Sequence, residues 1–195
     1  MKKILIASNN KGKVEEIKEI FKKYEIVTMK EMGCDIEVKE DGKTFEENAK
    51  KKAKEISKIT NMPCIADDSG ICIEVLNGWP GVNTARFLGE GKSDRERNEA
   101  IIEKIKSYEN EERIVKNICV MAYYENGKYI TAKGELKGKI SKKVKGNNGF
   151  GFDEIFELED KRTLAQLDKK EKNEISARKK ALKSLENKLK VLTKK

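Results

Sequence analysis

Asp67 and Asp68 are adjacent carboxylates at the end of a short apolar run, Pro63-Cys64-Ile65-Ala66, and Ser69-Gly70 follows at once. The run reads as a buried strand that stops in charge. Two like charges side by side at a strand end repel unless something positive sits beside or between them. A divalent cation is the common solution, and hard oxygen donors favour Mg²⁺. Asp-Asp-Ser-Gly is also good turn chemistry, so a solvated acidic turn is the competing reading. The chain contains no histidine. That removes Ser-His-Asp and Cys-His catalysis and histidine-ligated zinc. Acid–base work near neutral pH falls to carboxylates, lysines or metal-bound water.

Other residues point to an anion. Ser8-Asn9-Asn10-Lys11-Gly12-Lys13 lies between a predicted strand and a predicted helix. Such a loop presents backbone N–H groups, a helix dipole and a lysine to a phosphate. The pattern GxxxxGK[ST] is not matched, so this is not a P-loop, and an ordinary strand–helix turn reads the same way. Lys52 follows Ala49 by three residues and Phe45 by seven, which places it on the flank of an apolar helix stripe. It either snorkels outward or faces an anion at the rim of a cleft. Arg178 falls near the middle of a second stripe, Ile175, Leu182, Leu185, Leu189 and Leu192. A buried arginine needs a partner, either a salt bridge or a ligand. In Gly149-Phe150-Gly151-Phe152-Asp153 the glycines let backbone approach a ligand, Phe152 can stack on a base and Asp153 can accept hydrogen bonds. The plain alternative is a glycine-hinged strand with one core phenylalanine.

Stepping from these residues to the elements that hold them, Lys2–Ala7 and Glu25–Met29 read as strands around a helix over Lys11–Tyr24, whose apolar face is Val14, Ile17, Phe21 and Tyr24. Thr44 and Glu47 form a capping box that opens a helix to Asn61, with Phe45, Ala49, Ala53 and Ile56 as its stripe. Cys64–Asp68 and Ile71–Leu76 read as two strands, followed by the rigid loop Asn77–Gly81. Ser93 and Glu96 make a second capping box, for a helix to about Ser107. Arg113–Glu125 and Lys128–Lys137 read as a hairpin turning at Asn126-Gly127. One long helix, Glu171–Leu192, closes the chain. Strands alternating with helices, then a hairpin, predict an α/β fold with a mixed sheet.

Composition sets the remaining bounds. The 195 residues suit a single domain, 1–195, with 37% apolar residues. No apolar run is long enough to cross a membrane, and Ile4-Leu5-Ile6-Ala7 is too short for a signal core, so the expected location is cytoplasmic. The four cysteines show no CxxC spacing, and Cys64 and Cys72 lie in apolar runs, which predicts buried free thiols with neither disulfides nor zinc. The net charge of +9 suits an anionic partner, although the lysines are spread over every helix as on a solvated surface.

These motifs, in this order, resemble the inosine/xanthosine triphosphate pyrophosphatases, the Ham1-like hydrolases of non-standard purine nucleotides. The resemblance runs nearly end to end. It takes in residues 8–13, Glu40-Asp41-Gly42, Thr44-Phe45, Glu47-Asn48-Ala49, Lys52, residues 65–70, Gly78-Trp79-Pro80-Gly81, Ala85-Arg86, residues 149–153, Lys172, and Ile175-Ser176 with Arg178. Two positions depart from it. The family has Ser-His-Arg where this chain has Ser176-Ala177-Arg178, and proline where this chain has Glu154.

The resemblance implies an elongated α/β fold, a mixed sheet with flanking helices, in two lobes around a nucleotide cleft. It also implies a homodimer that converts a purine nucleoside triphosphate (ITP, dITP or XTP) and water to the monophosphate and pyrophosphate. Glu40, Asp67 and Asp68 would hold Mg²⁺, and Asp68 would be the general base. Lys13 and Lys52 would offset phosphate charge, with Ser8, Asn9, Asn10, Lys11, Gly12 and Ser69 as phosphate-binding neighbours. Phe152 would stack on the base, and Asp153, Lys172 and Arg178 would read its edge beside Phe150, Gly151 and Ala177. The missing histidine normally helps read the purine. One rival is a purine nucleotide sensor without turnover, which would not need a base beside the metal. The other is a basic nucleic-acid-binding protein, which would want a clustered basic face with interleaved aromatics, whereas aromatics are 6% here. Neither a membrane nor a specific nucleic acid is expected as a partner.

Overall fold

Ile4, Leu5 and Ile6 are wholly buried, and that uninterrupted apolar run is what an interior parallel strand requires. It forms β1 (Lys3–Ile6), which pairs in parallel with β2 (Glu25–Thr28) on one side and β3 (Cys64–Ile73) on the other. The computed structural model describes residues 2–89 and 91–192, apart from the side chains of Ile20 and Leu192. The expected place of Leu192 in the last apolar stripe therefore lies outside the described residues. β4 (Ile114–Glu125), β5 (Lys128–Ile140) and β6 (Phe156–Glu157) complete a six-stranded sheet of order β2-β1-β3-β4-β5-β6. β5 and β6 are antiparallel, so the sheet is mixed, as the alternation of elements predicts.

Five helices accompany it among the described residues: α1 (Lys11–Ile20), α2 (Phe45–Thr60), α3 (Asp94–Lys104), α4 (Lys169–Ile175) and α5 (Ala177–Leu192). None is long and apolar enough to cross a membrane. The chain falls into two compact units. The first holds Met1–Ser69, Cys119–Gly134 and Ala177–Lys195, and the second holds Gly70–Ile118 and Glu135–Ser176.

In the first unit α2 buries Phe45, Ala49, Ala53 and Ile56, the stripe read from the sequence. Thr44 Oγ1 accepts from the Glu47 N–H at 3.1 Å, but the Glu47 carboxylate returns to the Lys43 N–H, one residue before its expected partner. α1 stops at Ile20 instead of reaching Tyr24. Phe21 leaves helical geometry while its N–H still reaches the Ile17 carbonyl, and Tyr24 stacks on Phe21 with ring centroids 4.4 Å apart. β4 and β5 turn at Asn126-Gly127, both at positive φ, as an Asn-Gly hairpin requires. Gly134 in β5 lies against the start of α5, where a Cβ would stand 1.9 Å from the Ala177 carbonyl oxygen. Only a residue without a side chain allows that approach.

The second unit packs Ile71, Ile73, Ile101, Ile105, Ile140 and Phe156 into its own core. The Ser93–Glu96 capping box forms as read. Arg113, with 1% exposure, sits inside this unit and donates to the carbonyls of Ile140 (2.9 Å), Ser141 (3.0 Å) and Ile105 (3.4 Å).

Two expectations are corrected. The strand carrying Asp67 and Asp68 does not stop in charge: β3 runs on through Ser69-Gly70 to Ile73, and a 3-10 turn at Glu74–Leu76 replaces the end of the second expected strand. The single long C-terminal helix is two helices. Ser176 takes an extended conformation (ψ 145°) between α4 and α5, a position where serine is favoured because its side chain competes for backbone groups.

Burial pushes the Cys64 and Cys119 thiols up to about 12, whereas Cys34 and Cys72 are half-buried. At about pH 8 a chromogenic disulfide reagent should therefore label Cys34 and Cys72 before Cys64 and Cys119 in the native protein, because the latter pair is enclosed and held as thiols. All four cysteines should react after unfolding in guanidinium. Native labelling of Cys64 or Cys119 at the same rate would show that the thiols are not enclosed.

Candidate active site

Successive strand residues face opposite sides of a sheet, so the continuity of β3 separates its two aspartates. Asp67 meets α1 and α5. Its Oδ2 lies 3.1 Å from Lys13 Nζ and 3.3 Å from an Arg178 guanidinium nitrogen. Arg178 also binds Glu16 of α1 and donates to Ser69 Oγ at 3.3 Å. Asp68 meets α2 instead: its Oδ2 accepts from Asn48 Nδ2 at 2.9 Å, and its Oδ1 from the Ser69 N–H at 2.9 Å. Both are buried, at 1% and 5% exposure.

Their surroundings push the two carboxyls apart. Burial alone raises Asp67, but Lys13, Arg178 and Lys52 outweigh it and hold the group far below the ordinary carboxylate range. Asp68 is raised, first by burial and then by the nearby Glu40 charge, against the pull of Lys52, Asn48 and Lys13. Adjacent residues of one type thus become a fixed anion and a carboxylate with a higher proton affinity, the usual division between charge stabiliser and acid–base group.

Lys52 is held at the flank of the α2 stripe by an ion pair with Glu40. Burial lowers its proton affinity, and the charges of Asp67, Glu40 and Asp68 more than restore it. The Glu40-Asp41-Gly42 segment is tied to α2 by the Gly42 N–H, which donates to Asn48 Oδ1 at 2.8 Å. In the loop before α1, Asn10 caps the helix by accepting from the Lys13 N–H at 3.1 Å, and Ser8 Oγ accepts from the Asn10 N–H at 3.3 Å. The Ala7 N–H bonds to the Ile65 carbonyl, so the loop leaves β1 beside β3. Lys13, two residues past Lys11 and next to Gly12, points back to Asp67, while Asn9 and Lys11 are exposed. A recess of about 610 Å³ adjoins Ser8, Asn9 and Lys11 and extends to Thr28, Lys30 and Cys34. It does not include Asp67, Asp68 or Lys52.

Among the described residues, no three histidine, cysteine, aspartate or glutamate side chains form a ready metal cage. The carboxylates nonetheless fit a hard divalent cation. Asp67 Oδ1 is buried with no hydrogen-bond partner, and Glu40 raises Asp68 by like-charge repulsion that a cation would relieve.

The second unit assembles the other expected residues. Asp153 Oδ2 accepts from Lys172 Nζ at 2.7 Å and from the Phe150 N–H at 2.9 Å. Lys172 Nζ also lies 4.3 Å from the centroid of the Phe150 ring. Gly149 has φ +82°, and a Cβ there would stand 2.1 Å from Asp153 Oδ2. Phe152 is half-buried, 6.3 Å from Phe156 between ring centroids. Because the chain passes from one unit to the other after Ser176, Lys172 belongs to the second unit and Arg178 to the first. Ala177, where the histidine is missing, is 1% exposed.

Two buried polar residues that contact Arg178 and Asp68 carry no role in the sequence reading. Glu16 is 4% exposed and Asn48 is 0% exposed. Asn48 follows Phe45 by three residues and Glu16 precedes Ile20 by four, so by spacing each shares a helix face with an apolar residue. A polar residue on an apolar face is the signal that could have found them.

Known proteins show the same frame. The sequence model of the Ham1 family matches residues 4–188. A dITP/XTP pyrophosphatase of Clostridium perfringens is 44% identical with 100% of both chains covered, and that of Bacillus subtilis is 42% identical over 95% of this chain and 96% of its own. The Staphylococcus aureus Ham1 protein superposes with a TM-score of 0.87 at 39% identity, covering 97% of this chain and 98% of its own. A HAM1 protein from Coxiella burnetii gives 0.88 at 37% identity over 100% of both chains. Full-length similarity at these levels, in sequence and in structure, places the chain in the Ham1 family.

Proposed function

We propose that this protein hydrolyses dITP, XTP and ITP to the nucleoside monophosphate and pyrophosphate. The observation that carries the reading is the opposed environment of Asp67 and Asp68, a fixed anion beside a carboxylate of raised proton affinity. The names borne by the C. perfringens and B. subtilis relatives agree with it.

In the proposed reaction a water oxygen attacks the α-phosphorus while Asp68 takes its proton. The bond from the α-phosphorus to the bridging oxygen breaks, and pyrophosphate leaves with that oxygen. Asn48 and the Ser69 N–H hold Asp68 in place. Lys13 and Lys52 offset the negative charge of the chain of phosphates, which is where most of the catalytic stabilisation of such a reaction arises. Ser8, Asn9, Asn10, Lys11 and Gly12 supply hydrogen-bonding groups to the same phosphates. Glu40, Asp67 and Asp68 are the carboxylates that would hold Mg²⁺, which supplies further charge neutralisation on the phosphate oxygens. Such ions are commonly held by one or two carboxylates together with substrate phosphates, so a complete protein cage is not required.

At the base, Phe152 stacks on the purine beside Phe150 and Gly151 of the same unit, and Ala177 stands where the family has its histidine. A 6-keto purine presents an acceptor where adenine presents a donor, so the cationic donors Lys172 and Arg178 favour it, and Asp153 orients Lys172. The same reading includes a homodimer and a cytoplasmic location, in keeping with a nucleotide-cleansing enzyme.

Three outcomes are expected. First, XTP, dITP or ITP should yield pyrophosphate as direct product, with activity abolished by excess chelator. Orthophosphate as the direct product, or full activity in chelator, would sink the reading, and binding without any turnover would favour a sensor. Second, Asp68→Asn should fold normally and lose about 10²–10⁴-fold in kcat. A near-normal kcat would put the base elsewhere. Third, Arg178→Ala should cost about 3–5 kcal/mol of stability in denaturant unfolding, because it leaves buried carboxylates uncompensated. In the folded fraction it should also narrow the ITP-to-ATP ratio of kcat/KM. An unchanged ratio would confine Arg178 to its ion pairs with Glu16 and Asp67.

A further inference from the structure

Gly151 stands between the two phenylalanines proposed to face the base, and nothing about its side of the chain fixes it. Its φ is +65°, and no atom lies within 4 Å of the place a Cβ would occupy. Its position is set by its main-chain groups, and both are held by one helix. The Gly151 N–H donates to Asp94 Oδ2 at 2.6 Å, and the Gly151 carbonyl accepts from Asn98 Nδ2 at 2.9 Å. Asp94 and Asn98 are four residues apart on α3 and so share a face.

Asn98 is committed to this contact. It is 1% exposed, and its Nδ2 also donates to Glu154 Oε2 at 3.2 Å. Both amide hydrogens thus have acceptors, which fixes the orientation of the side chain. Glu154 in turn lies 3.8 Å from Arg95, the residue after Asp94. A charged side chain therefore ties the end of the glycine-rich segment to α3 at the position where the family resemblance leads one to expect the rigid ring of proline.

We infer that Asp94 and Asn98 are positioning residues for the purine. By gripping Gly151 at both polar groups they set the direction in which Phe152 leaves the chain, and Glu154 takes part through Asn98. This inference rests on the proposed stacking role of Phe152. It concerns the base alone, since neither residue belongs to the unit that carries Asp68, Lys13 and Lys52.

The test separates base from phosphate. kcat and KM are measured for XTP in wild type, Asn98→Ala, Asp94→Ala and Asp94→Asn, together with inhibition by inorganic triphosphate, a probe that has no base. Asn98→Ala and Asp94→Ala should raise KM for XTP about 3- to 10-fold, the worth of one hydrogen bond. kcat should change far less, and inhibition by triphosphate should stay at the wild-type level. Asp94→Asn keeps an acceptor oxygen and should restore a KM close to wild type. Asp94 is exposed, so its variants test the inference even if Asn98→Ala fails to fold. Unchanged KM in Asp94→Ala, or an equal weakening of XTP and triphosphate, would overturn the inference while leaving the hydrolase reading intact. A wild-type protein inert toward XTP, dITP and ITP would overturn both.

Discussion

A carboxylate buried in the middle of a sheet is the condition around which the first unit is arranged. Taking Asp67 out of water costs several kcal/mol unless cations and hydrogen bonds compensate it. Lys13 comes from the first turn of α1 and Arg178 from the first turn of α5, and Lys52 adds its field from α2. The charge on β3 is therefore met from the first turns of two helices. Gly134 serves the same arrangement by letting β5 come up against the backbone of α5. Removing one cation would leave the others attached to an uncompensated anion, so the cluster behaves as a unit and not as a set of independent pairs.

The pleat of β3 explains how two adjacent aspartates acquire different roles. Had the strand ended at Ala66, both carboxylates would share one turn and one solvent environment. Because it continues, Asp67 is sent toward guanidinium and ammonium groups in direct contact, and Asp68 toward an amide, a backbone N–H and the opposed charges of Lys52 and Glu40. The direct partners of Asp68 donate hydrogen bonds without giving it a full opposite charge in contact. Such a setting, with burial, raises the proton affinity of Asp68 above that of an ordinary aspartate.

Much of this was legible in the residues. Helix α2 followed from its stripe and from Thr44, because both signals are local and repeat at the helical period. The hairpin followed from Asn126-Gly127. The proximity of Lys13 to Asp67 followed only in outline: the loop read as an anion site, and what Lys13 meets in the fold is a protein carboxylate. The continuation of β3 was hidden because Asp-Asp-Ser-Gly carries strong turn propensity, and the cations that overrule it are remote in sequence. The break at Ser176 was hidden for the opposite reason. No glycine or proline marks it, and the apolar spacing of Ile175, Leu182 and Leu185 carries across it undisturbed. Lys172 and Arg178 were therefore read on one helix, although they belong to different units. Glu16 and Asn48 lay among apolar residues without a motif of their own, and only the fold shows that Glu16 meets Arg178 and that Asn48 meets Asp68 and the Gly42 N–H.

The two buried arginines are held by different chemistry. Arg113 is bound by the carbonyls of Ile105, Ile140 and Ser141, none of which can take up a proton. Arg178 and Lys13 depend on Asp67 remaining ionised. Since the Asp67 carboxyl is depressed in the folded state, its contribution is complete above the range in which an unfolded aspartate titrates, and it is lost as pH falls through the lower folded value. Acid therefore reaches the two arginines unequally. Protonation can unlock the charge network of the first unit, while the arginine of the second keeps every one of its carbonyl partners.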